Sequence, residues 1–370
     1  MDPRILIAGG GVAALEALLA LHRQLAGEVQ LTLLAPEPDF VYRPLAVAMP
    51  FGAGPVPTLP LAEVANEHGA KLLLDALVGV DADERIVTTH GGDRIEYDEL
   101  VLAIGARPQP VAPGTIRFGE PGDAAAVRDV VLGVRRGAVR RVALSATGGT
   151  SWTLPLYELA LELAGERTPA GTPPEVFVVT PEGAPLESFG AAISAGASVV
   201  LDEHGVRVLT ASTVESYEDG LLWIDLEGAL AVDAAIALPH LRGPAVPGIA
   251  HDRHGFVPVD RHGQVDGAEH VYAAGDMCAH PVKQGGLAAQ QADAVAAHIA
   301  WRLGAADVPA TKDPVLRAVL LTGDEPRFLH SGLTGADGGG ISREPQWWPP
   351  AKIAARHLAP YLADRQMWTY

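Results

Sequence analysis

The chain of 370 residues carries 45 acidic and 27 basic side chains, a formal charge of −18, and is 48% hydrophobic. That charge excludes an extended nucleic-acid-binding surface, and the apolar content suffices for sizeable cores in two or three domains. The single cysteine, Cys278, excludes an internal disulfide, a CxxC redox pair and a cysteine-rich zinc site.

In chain order, Arg4–Ala8 reads as a buried parallel strand, residues 9–11 as a glycine turn, Val12–Leu25 as a helix and residues 29–34 as a second strand. This is the βαβ unit of a dinucleotide-binding fold. Residues 36–60, rich in Pro and Gly, read as a long functional connection. A short helix over 61–68 follows, then a strand over 71–80, a hairpin of 85–89 with 94–97 over Gly91-Gly92, and a buried strand at 100–104. A second α/β unit opens near Arg141. Its expected elements are a strand at 142–145, a helix at 154–164, a strand at 176–180, a helix at 189–196, strands at 198–201 and 206–209, and a meander through 214–216, 221–225 and Ala234–Leu238. Residues 271–274 read as a strand and 285–303 as a long Ala-rich helix. No apolar run reaches the roughly 18–20 residues of a membrane span, and the glycines and Glu16 that interrupt residues 5–20 argue against a signal peptide. The expectation is a soluble, cytoplasmic protein.

Gly9-x-Gly11-x-x-Ala14 sits between the first strand and helix. The first glycine permits a tight turn, the second lets the backbone approach a pyrophosphate, and the small third residue allows close packing, with Val12 and Ala13 presenting helix N–H groups. A ribose-binding acid belongs at the end of the second strand, where Ala35 stands; Glu37, two residues on, is the candidate. The alternative is a glycine turn of another α/β fold and a loop acid.

Two further segments, Tyr97–Pro108 (YDELVLAIGARP) and Gly255–Asp260 (GFVPVD) followed by Val271–Asp276 (VYAAGD), complete a set of three. In this order and spacing the chain resembles the flavoproteins with two dinucleotide-binding domains, the glutathione-reductase-like superfamily. It is most similar to the branch of sulfide:quinone oxidoreductases, flavocytochrome c sulfide dehydrogenases and type II NADH dehydrogenases. The resemblance implies an FAD, with its pyrophosphate at the first glycine motif and Asp276 on the cofactor. It also implies cofactor contacts from Tyr42, Arg43 and Pro44 (in FVYRP), Leu77, Val78, Ala103, Ile104, Gly105, Gly275, Lys283 and Gln284. PVKQGG, opening the Ala-rich helix, resembles that branch's "P-x-K-x-G" segment. A lysine and a helix N-terminus aimed at the flavin N1/O2 edge would stabilise an anionic reduced flavin. Lysine is scarce here, with Lys71, Lys283, Lys312 and Lys352 against 23 arginines, which adds weight to Lys283. The bland alternative is a surface lysine.

The second unit lacks a G-x-G-x-x-G. Trp152 and Pro155 stand where a pyrophosphate needs backbone approach, so a standard NAD(P)H site is not expected; Trp152 reads as a cavity wall or as core packing. The LYELA stretch resembles the "P-x-P-Y-E-x-A" segment of sulfide dehydrogenases. Those relatives carry a cysteine in the loop that here reads Ser151-Trp152-Thr153, so a disulfide relay is excluded. Cys278 reads as a buried apolar residue, His280 as a candidate proton carrier, and the histidines at 251–262 as a solvated loop. No HxH or HExxH pattern points to a metal. Trp347-Trp348-Pro349-Pro350 resembles the segment that covers the flavin or a dimer interface in the family. Ile353, Leu358, Tyr361 and Leu362 form a weak stripe, read either as a peripheral membrane contact or as docking onto the body, with Pro360 expected to break a helix.

The fold class expected is α/β, with two Rossmann-like domains. Residues 1–112 and 246–320 would form the FAD-binding domain, 113–245 a second domain with a degenerate nucleotide motif, and 321–370 a C-terminal interface or cap. The expected function is an FAD-dependent oxidoreductase passing electrons between a small donor and an acceptor such as a quinone. Alternatives are an NAD(P)H-dependent FAD reductase and a non-catalytic electron-transfer subunit.

Overall fold

The computed structural model describes residues 2–25, 27–149, 152–225, 227–309, 313–332 and 339–367. Arg4–Ala8 lies at the centre of a five-stranded parallel sheet. Gln30–Ala35 and Lys71–Leu74 follow on one side, Glu99–Leu102 and Val271–Ala273 on the other. Strands buried on both faces need no alternation, which is why RILIA and ELVL read as continuous apolar runs. The helices Val12–Leu25 and Gly285–Arg302 share one core, in which Ala13, Ala17, Ala20, Ala288, Ala292 and Ala296 are all buried. Small side chains on both helices let their backbones run close together.

The second unit repeats the plan. Its parallel sheet has the order Ile116–Arg117, Ala234–Leu238, Arg141–Ala146, Glu175–Val179, Arg207–Leu209. In each unit a three-stranded antiparallel meander precedes the strand that returns beside the first one. The meanders are Leu77–Asp81, Ile86–Thr89 and Arg94–Glu96 in the first unit, and Val214–Glu218, Leu221–Ile224 and Gly228–Ala231 in the second. A third, antiparallel sheet of Val315–Leu320, Arg327–Gly332 and Gly340–Ser342 packs against the second unit's core. Val315–Leu320 therefore pairs with the C-terminal strands, not with the first sheet.

Four local expectations change. Residues 198–201 are not a strand; they belong to the helix Ala191–Glu203, whose Ile193, Ala197, Val200 and Leu201 are buried at helical spacing while Val199 faces outward. Residues 71–80 split into Lys71–Leu74 and Leu77–Asp81, in different sheets, at Asp75, whose carboxylate accepts the Ala76 and Gly91 N–H groups. Residues 36–60 hold a strand pair, Asp39–Val41 with Thr58–Pro60, around the 3-10 helix Arg43–Phe51. Pro360 lies inside the helix Leu358–Ala363, in its first turn, where a missing N–H removes no internal bond.

The C-terminal segment docks on the body. Ile353, Leu358 and Leu362 are at most 2% exposed and join the core beneath Val12–Leu25. Three of the four residues of this apolar stripe are covered by protein and Tyr361 is half-buried; no described helix is long and apolar enough to cross a membrane. The buried Glu16 carboxylate accepts the backbone N–H groups of Arg356 (2.9 Å), His357 (2.8 Å) and Leu358 (2.6 Å), capping the last helix from another element. Leu358→Ala should cost about 2–5 kcal/mol of stability by urea unfolding. A loss below about 1 kcal/mol would mean that the segment is not held as described.

Candidate functional site

At Gly9 the backbone N–H donates to Leu34 O at 2.8 Å, and φ is +134°. A Cβ there would fall 2.2 Å from Ala103 O, so no other residue fits beneath the neighbouring strand. Gly11 is the opposite case: it is exposed, with nothing within 4 Å of where a Cβ would stand. The helix that follows has no acid in its first turn. This open helix N-terminus, bare of side chains and of negative charge, suits a diphosphate. Ala35 is buried against Gly10, and Glu37 stands exposed in the turn after the strand.

A cavity of about 280 Å³ opens where the two units and the C-terminal segment meet. Arg43, Pro44, Ala106 and Pro108 wall it from the first unit. Trp152, Leu154, Pro155 and Glu158 wall it from the second, and Lys352 and Ile353 come from the C-terminal segment. Asp276, Lys283 and Gln284, flanking the start of the Ala-rich helix, close the remaining side. Gly275 makes the approach of Asp276 feasible: with φ +84°, a Cβ there would sit 3.2 Å from Ala13 Cβ, between the two helices.

The charged groups of this wall differ in how they are satisfied. Neither Asp276 nor Arg43 has a hydrogen-bond partner among the described residues. Burial pushes the Asp276 carboxyl upward, with Lys283 and Arg43 pulling against it. Lys283 is 5% exposed; its ammonium donates to the Cys278 carbonyl and lies 3.8 Å from the centre of the Phe256 ring. Burial lowers its pKa, opposed by Asp276, Cys278 and Asp252. Cys278 is fully buried and its thiol is pushed up to about 12 by burial, so it stays protonated in the core.

Several expected residues frame the cavity without facing it. Tyr42 is fully buried, and its hydroxyl accepts the Ile353 N–H at 3.1 Å. Gln284 does line the cavity, while its side chain caps the helix, accepting from Leu287 N at 2.8 Å and donating to Arg317 O at 2.9 Å. His280 does not line the cavity; its Nδ1 accepts the Val282 N–H at 3.2 Å and closes the turn before Lys283. Leu77 and Val78 lie in the first meander, also off the cavity wall, with Val78 exposed. Ala103, Ile104 and Gly105 lead from the glycine turn towards Ala106 on the wall. Of the Trp pair, Trp347 packs on Phe328 and bonds Ala351 O, whereas Trp348 is exposed. Trp152 does line the cavity and rests on Phe189 at 5.3 Å; Thr150 and Ser151 lie outside the described residues.

Sequence reading missed the most buried charges of the site. Lys352 Nζ lies 2.7 Å from Glu158 Oε1 and donates to Pro44 O at 2.9 Å, and both side chains are at most 4% exposed. Leu321 N donates to the same carboxylate at 2.9 Å. Burial raises the Glu158 pKa, offset mainly by Lys352. One turn on, Glu162 is pushed up to about 7 by burial and then by the Glu158 charge. The rarity of lysine pointed to Lys352 as much as to Lys283, but its partner is 194 residues away.

Lys352→Met should cost about 3–5 kcal/mol by urea unfolding, because Glu158 is left unpaired; adding Glu158→Leu should recover most of that loss. Glu162 binds its proton more tightly folded than unfolded. Its contribution is therefore present below its ordinary value of 4.5 and lost as pH rises through about 7. Glu162→Gln should raise the urea midpoint at about pH 8 and leave it nearly unchanged at about pH 5; equal effects at both would contradict the assignment.

The chain is 26% identical over 298 residues to an NADH dehydrogenase-like protein of Mycobacterium tuberculosis, covering 75% of this chain and 73% of that one. It is 25% identical over 275 residues to a sulfide-quinone reductase of Aquifex aeolicus, covering 68% and 62%. Among solved structures, the sulfide:quinone oxidoreductase of Aquifex aeolicus superposes with a TM-score of 0.81 at 21% identity, over 92% of this chain and 87% of that one. A ferredoxin reductase from Rhodopseudomonas palustris gives 0.70 at 18%, over 91% and 84%. Residues 3–296 match the pyridine nucleotide-disulphide oxidoreductase family, and the chain, an α/β oxidoreductase of two dinucleotide-fold units, belongs to it.

Proposed function

We propose that this protein is an FAD-dependent oxidoreductase that passes electron pairs between a small donor and an acceptor such as a quinone, without a cysteine relay. The observation that carries the reading is the alignment of two features at the carboxyl ends of one parallel sheet. One is the bare glycine turn before Val12; the other is a cavity on which the Asp276 and Arg43 side chains have no hydrogen-bond partner among the described residues. Gly9, Gly11, Val12, Ala13 and Ala14 would hold the cofactor's pyrophosphate, Glu37 a ribose, and Gly275 and Asp276 the chain towards the ring. When bound, FAD supplies the electron-pair chemistry.

The protein's own residues set the surroundings. Lys283, Arg43 and the N-terminus of Gly285–Arg302 give that face of the cavity a positive potential, which favours negative charge placed there. The apolar walls Pro44, Trp152, Leu154 and Pro155 exclude water and suit a flat, weakly polar partner. Glu158 and Lys352 supply a paired acid and base at the wall, where a proton can be given or taken. The buried Cys278, protonated and in the core, takes no part.

An NAD(P)H-dependent reductase is the second reading, favoured by the relatives named NADH dehydrogenase-like and opposed by Trp152 and Pro155 at the cavity wall. Purified protein should be yellow and hold about one FAD per chain; a colourless preparation that takes up no FAD would sink both readings. Under anaerobic conditions, NADH and NADPH should leave the flavin band unbleached, whereas dithionite-reduced protein should be reoxidised by a quinone. Rapid bleaching by either nucleotide would favour the second reading. Asp276→Ala should weaken FAD retention by roughly tenfold or more. Lys283→Met should lower the flavin potential, and an unchanged potential would remove Lys283 from its role.

A further inference from the structure

We propose that Glu16, Asp293 and His357 form a binding site for one divalent transition-metal ion, with zinc the best match to the donor set. The three residues come from three elements: the helix Val12–Leu25, the helix Gly285–Arg302, and the position just before Leu358–Ala363. One ligand atom of each lies within 4.8 Å of the other two. The His357 side chain is 8% exposed, and its Nε2 has no hydrogen-bond partner among the described residues. It points at Asp293 Oδ1, which is also buried and also lacks one.

These two atoms are 3.5 Å apart, beyond the usual range of an N–H···O bond. A tetrahedral zinc with arms of roughly 2.1 Å sets its ligands about 3.4 Å apart, so the spacing is that of two neighbouring donors on one ion. Glu16 retains a donor for it. Of roughly four lone-pair positions on a carboxylate, three accept the Arg356, His357 and Leu358 N–H groups, which leaves one on Oε2. The buried Glu16 and the half-buried Asp293 carboxylates lie side by side, and a dication would place a positive charge between them. A single shared proton is the competing occupant. Three protein ligands leave the fourth position of a tetrahedral site to water. The ion would latch the C-terminal segment to both helices that open at the proposed cofactor site, and so hold Lys352 in the cavity wall.

The test uses the chelator-treated full chain, with its flavin, titrated with Zn2+ by calorimetry and thermal unfolding. Expected are one equivalent bound and a midpoint raised by several degrees, with binding that tightens as pH rises because the ligands must be deprotonated. Asp293→Asn and His357→Gln keep the backbone donors to Glu16 and should each weaken binding by at least tenfold. Should a variant fail to fold, Co2+ added to the unmutated protein should give the intense visible absorption of a four-coordinate site. The proposal is overturned if Zn2+ binds the variants as tightly as the original chain, or if Co2+ shows only the weak six-coordinate spectrum. It is also overturned if stability responds to acid and not to Zn2+, which would assign the site to the shared proton.

Discussion

The ion pair between Lys352 and Glu158 sits where three parts of the chain meet, and the cavity depends on it. Away from water, each charge costs several kcal/mol unless the other is in place with its hydrogen bonds. Here Pro44 O accepts from the ammonium and Leu321 N donates to the carboxylate. The pair therefore ties the 3-10 helix Arg43–Phe51 of the first unit, the helix Leu154–Gly165 of the second and the C-terminal segment into one geometry. A neutral replacement of both would preserve stability; a replacement of one would not.

The two units show how one plan can be opened or closed. Both place a strand, a turn and a helix at the carboxyl edge of a parallel sheet. In the first, Gly9 lets the chain pass under Ala103 O, and Gly11 leaves the helix N-terminus bare. In the second, the turn runs into Trp152, packed on Phe189, and the helix starts at Leu154 with Pro155 at the cavity wall. The helix end that is bare in one unit has Trp152 and Pro155 beside it in the other. The consequence is an asymmetric protein, with the bare glycine turn on one side and the cavity between the units.

Much of the fold was legible locally. Val12–Leu25 is read to the residue, because glycines end the strand before it and small apolar residues fill both faces. The errors have physical causes too. Val199-Val200 resembles a strand by its β-branched residues, yet the helical spacing of Ile193, Ala197 and Val200 against the core prevails over propensity. The break at Asp75 depends on a carboxylate that binds the Gly91 N–H, sixteen residues away, a bond with no local pattern. Pro360 looked like a stop signal, but its place in the first turn removes no hydrogen bond.

At the site, what the chain declares in contiguous motifs is the glycine turn, the Asp276 and Lys283 segment, and the absence of a second cysteine. These follow from the sequence because each works through backbone geometry or simple presence within a few residues. What only the tertiary structure decided is which side chains face the cavity. It turned Tyr42 and His280 into framework, and brought Lys352 to Glu158 and His357 to Asp293. Those pairings join residues far apart in the chain, where burial, with neighbouring charges added or opposed, shifts Glu158, Asp293 and His357 from their ordinary values. A charge acquires its chemical role from the solvent it loses, and that loss is set by packing, not by neighbours in the sequence.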